Sequence, residues 1–322
     1  MESLSLNGDK SHAPGNSIRH RNILVVVFDL VRSFVMTSPD NKKSTSPIDE
    51  LLYYVNRAIL LTIFFFLAVY KNVQFIYRRV VSRMSTLAYY PSKTPQLIRE
   101  DVSSLPKIPK RLSCILDLRD DEDENGGIDG LINDISELAA WSISAGIPQL
   151  SIYEYSGDIA HYLPTLRHYI SKNLAVYFGT DTTPSFSIRV PHDNAILYST
   201  NFSSQEIIEP ERVDLHISLL SRADGKPTIV ELTKTMSELA LNMELSVDDI
   251  TTELIEEELN TLVGYEPDLL LSFGPSLDLQ DYPPWHIRLS EIYWEPDNMY
   301  VNYAVFLRSL QKYANCKVNV GK

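Results

Sequence analysis

Two cysteines, Cys114 and Cys316, are all that the 322 residues contain. That number excludes a disulfide framework and fits a reducing compartment. Internal repeats are absent. Positive charge is scarce past residue 110, where 14 Lys and Arg face 34 Asp and Glu, a balance of -20. So acidic a body does not seek nucleic acid, and no basic face interleaved with aromatics is there to bind it. Residues 1–110 carry the opposite balance, 15 basic against 8 acidic, which suits an anionic membrane surface.

Long apolar runs are confined to that basic leader. ILVVVFDLVRSFVM (Ile23–Met36) is short for a span and carries Asp29 and Arg32. AILLTIFFFLAVY (Ala58–Tyr70) is uncharged; with LLYYVNR before it, a segment over about residues 51–70 reaches the ~20 residues a bilayer requires. Arg57 can snorkel to the interface, and Tyr53, Tyr54, Tyr70 and Tyr77 suit the aromatic belts. A buried core helix is the competing reading, but FFFLAVY has no polar face to show water. Lys71, Arg78, Arg79 and Arg83 follow the run, so the positive-inside rule places the C-terminal part in the cytoplasm; Lys42 and Lys43 opposite make the bias modest. In that compartment the sequon Asn201-Phe-Ser203 stays unused.

The chain divides into a leader with linker over residues 1–104 and a globular domain over 105–322, with the proline-punctuated SLPKIPK between them. RLSCILDL, QLSIYEY, VDLHISLL and PDLLLSF are strand-like, as is the shorter Leu174–Phe178. Ile128, Leu131, Ile132, Ile135, Leu138 and Ala139 recur at helical spacing, with Gly146 as C-terminal cap. Further helices are expected over Asp158–Asn173, from Pro227 to about Asn242, after Ser246, near Pro284, and from about Tyr300 to Ala314. Strands alternating with helices predict an α/β domain with a parallel sheet covered by helices on both faces. Residues 181–210 fit nothing regular and read as an inserted loop.

Behind the first strand, ILDLRDDEDENGG puts six acidic side chains into thirteen positions. Asp121, Asp123 and Asn125, with Gly126 sixth, almost spell a calcium loop, but the twelfth position is Ile132 and the flank is strand-like. An aspartate-rich magnesium cluster would sit on a helix. Taken alone, a solvated acidic turn is the favoured reading.

PDLLLSFGPSLDLQDYPPWHIRLSEIYW (267–294), together with FLRSLQKYANCKVNVGK at the end, closely resembles the cis-prenyltransferase superfamily. The similarity is strongest to its non-catalytic branch, the Nogo-B receptor-type accessory subunit of dehydrodolichyl diphosphate synthase, and covers roughly Leu105–Lys322. Catalytic members end the first strand in Asp-Gly-Asn-Arg-Arg. Here Asp117 survives, Leu118 stands for the Gly, Arg119 for the Asn, and Asp120 and Asp121 for the arginines. A Cβ at 118 obstructs close backbone approach to a diphosphate, and two carboxylates repel it. The second signature, Arg-x-Ser-Gly-Glu-x-Arg-x-Ser-Asn, aligns without gaps: Ser272 and Asp278 replace its arginines and Gln280 its Ser. Trp285, Glu291 and Tyr293 match family positions; Trp285 reads as packing, Glu291 as structural, and His286 and Arg288 as surface or interface polar residues.

The resemblance implies a membrane-anchored pseudo-catalytic domain with no catalytic residue and no cofactor of its own. It pairs with a catalytic cis-prenyltransferase subunit, as a heterodimer or higher hetero-oligomer, at the cytosolic face of the endoplasmic reticulum membrane. Mg²⁺ then belongs to the partner's active site. The family's borrowed C-terminal Arg-x-Gly aligns with Asn319-Val320-Gly321, so Asn319, Val320, Gly321 and Lys322 are the candidate contribution to isopentenyl diphosphate binding at that shared site. The product would be the polyprenyl precursor of dolichol for glycosylation. The rival reading is a membrane receptor or scaffold with no role in prenyl synthesis.

Overall fold

The computed structural model describes residues 47–89, 94–123, 125–199, 213–296, 298 and 300–316. Ile23–Met36, the sequon and the tail residues Asn319, Val320, Gly321 and Lys322 lie outside them. The chain divides into two compact units, Met1–Val81 and Ser82–Lys322.

In the first unit and just beyond it runs α1 (Pro47–Tyr89), a helix of 43 residues. Its stretch Tyr53–Gln74 is, among the described residues, the one helical segment long and apolar enough to cross a membrane. The large side chains along it, Phe64, Phe65 and Phe66 among them, are exposed, so this is not the core helix of a soluble domain.

The second unit is a seven-stranded sheet wrapped by helices. Its elements in chain order are α2 (Pro95–Ser103), β1 (Arg111–Leu116), α3 (Gly127–Ala145), β2 (Gln149–Glu154), α4 (Leu163–Phe178), β3 (Phe186–Val190), β4 (Ala195–Tyr198), β5 (Leu215–Leu220), α5 (Lys226–Leu241), α6 (Thr252–Leu262), β6 (Leu269–Ser272), β7 (Glu291–Trp294) and α7 (Tyr303–Asn315). Strand order is β4-β3-β5-β2-β1-β6-β7. All neighbours are parallel except the β3–β4 hairpin. Central strands are apolar on both sides because helices cover both faces. Leu112, Cys114 and Leu116 point into the larger core with α2, α3, α4 and α7, while Ile115 joins Tyr153, Leu220, Leu270 and Tyr282 on the other face. A third cluster, Leu232, Met236 and Leu259, welds α5 to α6.

Several expectations are corrected. Leu174–Phe178 is not a strand but the last turns of α4, because Leu166, Ile170, Leu174 and Tyr177 bury one helical face. Within residues 181–210 the chain forms the edge hairpin β3–β4, where Phe186, Ile188 and Val190 alternate into the core. Asn194 takes the left-handed turn (φ 50°) that closes it. The helix near Pro284 is a single 3₁₀ turn, Pro284–Ile287, broken at His286; the family-like residues after it form β7. The helix after Ser246 is two pieces, a 3₁₀ turn capped by Ser246 and α6 capped by Thr251.

Candidate functional site

The sheet order reverses at β1, which has β2 on one side and β6 on the other. In open parallel sheets the crevice at such a switch point, outside the carboxyl ends of the strands, is where ligands bind. Both sequence signatures converge there. Ile115 of β1 pairs with Ser272 of β6, and the Phe273 amide donates to the Ile115 carbonyl at 3.0 Å. Asp117 leaves β1 beside Gly274, where a Cβ would lie 3.1 Å from the Asp117 carboxylate.

The crevice is closed by the chain's own groups. The Gln280 side-chain amide donates to Asp117 Oδ1, and the Tyr153 hydroxyl donates to the Gln280 carbonyl. Gln280 and Asp281 both hold left-handed backbone, φ 49° and 59°, in a turn where Asp278 Oδ1 accepts the Gln280 amide at 2.9 Å. Burial pushes the Asp117 carboxyl up; the Gln280 hydrogen bond opposes this, while Asp278 and Glu154 nearby add to it. Glu154, buried at the end of β2, turns its carboxylate into the following loop and accepts the amides of Ser156 (2.8 Å), Gly157 (2.7 Å) and Asp158 (3.1 Å).

The cation nearest Asp117 is committed elsewhere. Arg119 binds Asp134 of α3 at 2.5 Å, with both partners largely buried, and stacks over Tyr300 at 5.0 Å. Asn125 donates to the other Asp134 oxygen at 2.8 Å. Burial, partly offset by Arg119, pushes the Asp134 carboxyl up to about 6. Asp120, Asp121, Glu122 and Asp123 are exposed, as in a solvated turn. Among the described residues no three His, Cys, Asp or Glu side chains group so as to hold a metal. Asp117, tied to the Gln280 amide and with no three-residue metal-ligating group around it among the described residues, does not fit a magnesium–diphosphate complex.

Leu118 packs against the main core, Ser272 is buried within the sheet and Asp278 is exposed in its turn, so no degenerate position presents a positive charge. Trp285 packs on the α5–α6 cluster. Glu291 accepts the Cys316 thiol at 3.1 Å, and Tyr293 donates to Glu295, which Arg308 of α7 grips through two hydrogen bonds of 2.6 and 2.7 Å. Arg288 stays at the surface, 3.3 Å from Glu256. His286, expected at the surface or an interface, is instead 3 % exposed, because the broken 3₁₀ turn folds it inward. Sequence reading missed the carboxylate of Glu154 and the Arg119–Asp134 pair; the Ser-Gly-Asp turn after Glu154 was the available signal for the first.

Fold and site together define a class: a parallel α/β domain whose switch-point crevice is lined with carboxylates and sealed by its own side chains. No family model matches the sequence. It is 49 % identical to the dehydrodolichyl diphosphate synthase complex subunit NUS1 of Saccharomyces cerevisiae, over 85 % of this chain and 75 % of that one. The Schizosaccharomyces pombe subunit of the same name is 34 % identical, over 74 % of this chain and 87 % of its own. The human subunit NUS1 is 26 % identical over 70 % of each. Among solved structures, lavandulyl diphosphate synthase from Lavandula x intermedia matches with a TM-score of 0.46 at 16 % identity, covering 67 % of this chain and 99 % of the other. The chain belongs to the NUS1 family of dehydrodolichyl diphosphate synthase complex subunits.

Proposed function

We propose that this chain is the membrane-anchored, non-catalytic subunit of a dehydrodolichyl diphosphate synthase complex. It pairs with a catalytic cis-prenyltransferase that condenses isopentenyl diphosphate onto an allylic diphosphate, at the cytosolic face of the endoplasmic reticulum. The observation that carries this reading is the sealed crevice: Gln280 occupies Asp117, Arg119 is neutralised by Asp134, and Ser272 and Asp278 stand where the family's arginines would. Charge-assisted hydrogen bonds of that kind are what a diphosphate requires, so catalysis falls to the partner, together with Mg²⁺. Helix α1 supplies the anchor, which suits an enzyme complex whose product is very apolar. Gly321 gives the tail a residue able to take the left-handed backbone of an anion-binding nest, completing the partner's isopentenyl diphosphate site with Asn319, Val320 and Lys322.

The purified chain, alone and with its co-purified partner, should be given Mg²⁺, farnesyl diphosphate and isopentenyl diphosphate. Polyprenyl product is expected from the complex only; product from the chain alone would end the reading. Deleting Asn319–Lys322 should depress synthesis while the complex still co-purifies. Unchanged synthesis would instead favour the receptor or scaffold reading.

A further inference from the structure

A cavity of about 420 Å³ opens beside the first turns of α5, against the Gln280–Asp281 turn. Arg222, Lys226 and Lys234 line it, with Asp281 and Glu231 as the acidic members, so its charge is positive in a domain where acids outnumber bases 34 to 14. Lys226 and Lys234 stand eight residues apart on α5, about 12 Å along one face, with half-exposed Val230 between them. The helix N-terminus adds its own positive potential. The volume is many times a water's ~30 Å³, enough for a phosphate or diphosphate.

An anion already marks the spot. The Asp281 carboxylate lies 2.7 Å from Lys226 Nζ and 3.8 Å from Arg222 Nε, and Lys226 holds its pKa below the ordinary range. Asp281 reaches there from the left-handed pair Gln280–Asp281, a backbone that is strained for Gln280 in particular. Gly225 permits the approach, since a Cβ there would come within 2.7 Å of the Asp281 carbonyl. Lys234 makes no hydrogen bond or ion pair among the described residues, so the trio is not saturated by the single carboxylate.

We propose that this cavity binds a phosphate-bearing ligand, which displaces the Asp281 carboxylate from Lys226 and Arg222. A dianion outcompetes a monoanion at three cations. Once Asp281 is released, the strained turn relaxes and Gln280 loses its hold on Asp117, so occupancy of the α5 cavity is felt at the sheet crevice.

The test is calorimetric titration of the full chain, in its complex, with inorganic pyrophosphate at fixed ionic strength. Saturable binding is expected, weakened roughly tenfold by Lys226→Gln and tightened about threefold by Asp281→Asn. Val230→Glu puts a competing carboxylate into the cavity without touching the turn, and should also weaken binding roughly tenfold or more. Pyrophosphate should speed amide hydrogen exchange at residues 280–282 of the unmodified chain. A second arm uses nanodiscs of phosphatidylcholine with and without phosphatidic acid. Faster exchange at 280–282 with phosphatidic acid, lost in Lys226→Gln, identifies a lipid headgroup as the source; a response to pyrophosphate alone identifies a free phosphate compound. Absence of both responses, or binding indifferent to both Lys226→Gln and Val230→Glu, overturns the proposal.

Discussion

Arg119→Met is the substitution whose consequence can be worked furthest. Asp134 is 7 % exposed, and burial pushes its carboxyl up to about 6 even with the guanidinium 2.5 Å away. Against an unfolded value of ~4, that elevation corresponds to about 3 kcal/mol. Because the folded value is the higher one, this stability is fully present below pH 4 and is lost as pH rises through 6. Removing Arg119 takes away the largest opposing influence and leaves a buried carboxylate with the Asn125 amide but no countercharge, which costs roughly 3–5 kcal/mol at pH 7.5. For a unit of this size the melting temperature should fall by about 6–20 °C. At pH 5 Asp134 takes up a proton, the uncompensated charge disappears, and most of the difference from the unmodified chain should vanish. Urea unfolding followed by tryptophan fluorescence at both pH values measures it. The double variant with Asp134→Asn should lose the pH dependence of the difference. An equal loss at pH 5 and 7.5 would show that Arg119 acts through packing on Tyr300 and not through charge.

His286 is buried and its pKa lowered chiefly by that burial, with Glu266, Glu256 and Arg288 as its charged neighbours. Its depressed value means stability is present above pH ~6.5 and falls as pH drops toward the folded value, so His286→Phe should flatten the acid limb of the stability curve. Gly130→Ala would bring a Cβ within 2.0 Å of the Asn125 carbonyl, so the backbone there must shift; a loss above about 2 kcal/mol is expected in a thermal melt by circular dichroism.

The central strands were legible because burial on both faces makes them continuous apolar runs, and α3 because its spacing and Gly146 (φ 79°) agree. LAVYF was not legible as helix: five apolar residues carry no period of their own, and only tertiary packing on Leu166 and Ile170 decides. β7 escaped because four residues, none of them fully buried, that follow two prolines look like a helix start. At the site, the missing arginines were plain in the residue types. What replaces them was not, since the Gln280–Asp117 contact joins residues 163 apart and Arg119–Asp134 spans a loop whose path no local pattern fixes. His286 was misjudged for a similar reason: a kinked turn reverses which side faces water.

The end of α7 is a fixed post. Phe306 and Leu310 are fully buried, and Lys107 donates to the Cys316 carbonyl at 2.6 Å. Gly321 is five residues beyond, and a chain gains at most ~3.6 Å per residue, so it cannot stray more than about 18 Å from that post. A pyrophosphate site that the tail completes in another subunit, as proposed above, must therefore lie within that radius plus about 3 Å of hydrogen-bond reach, which discriminates among docking poses before a single side chain is considered.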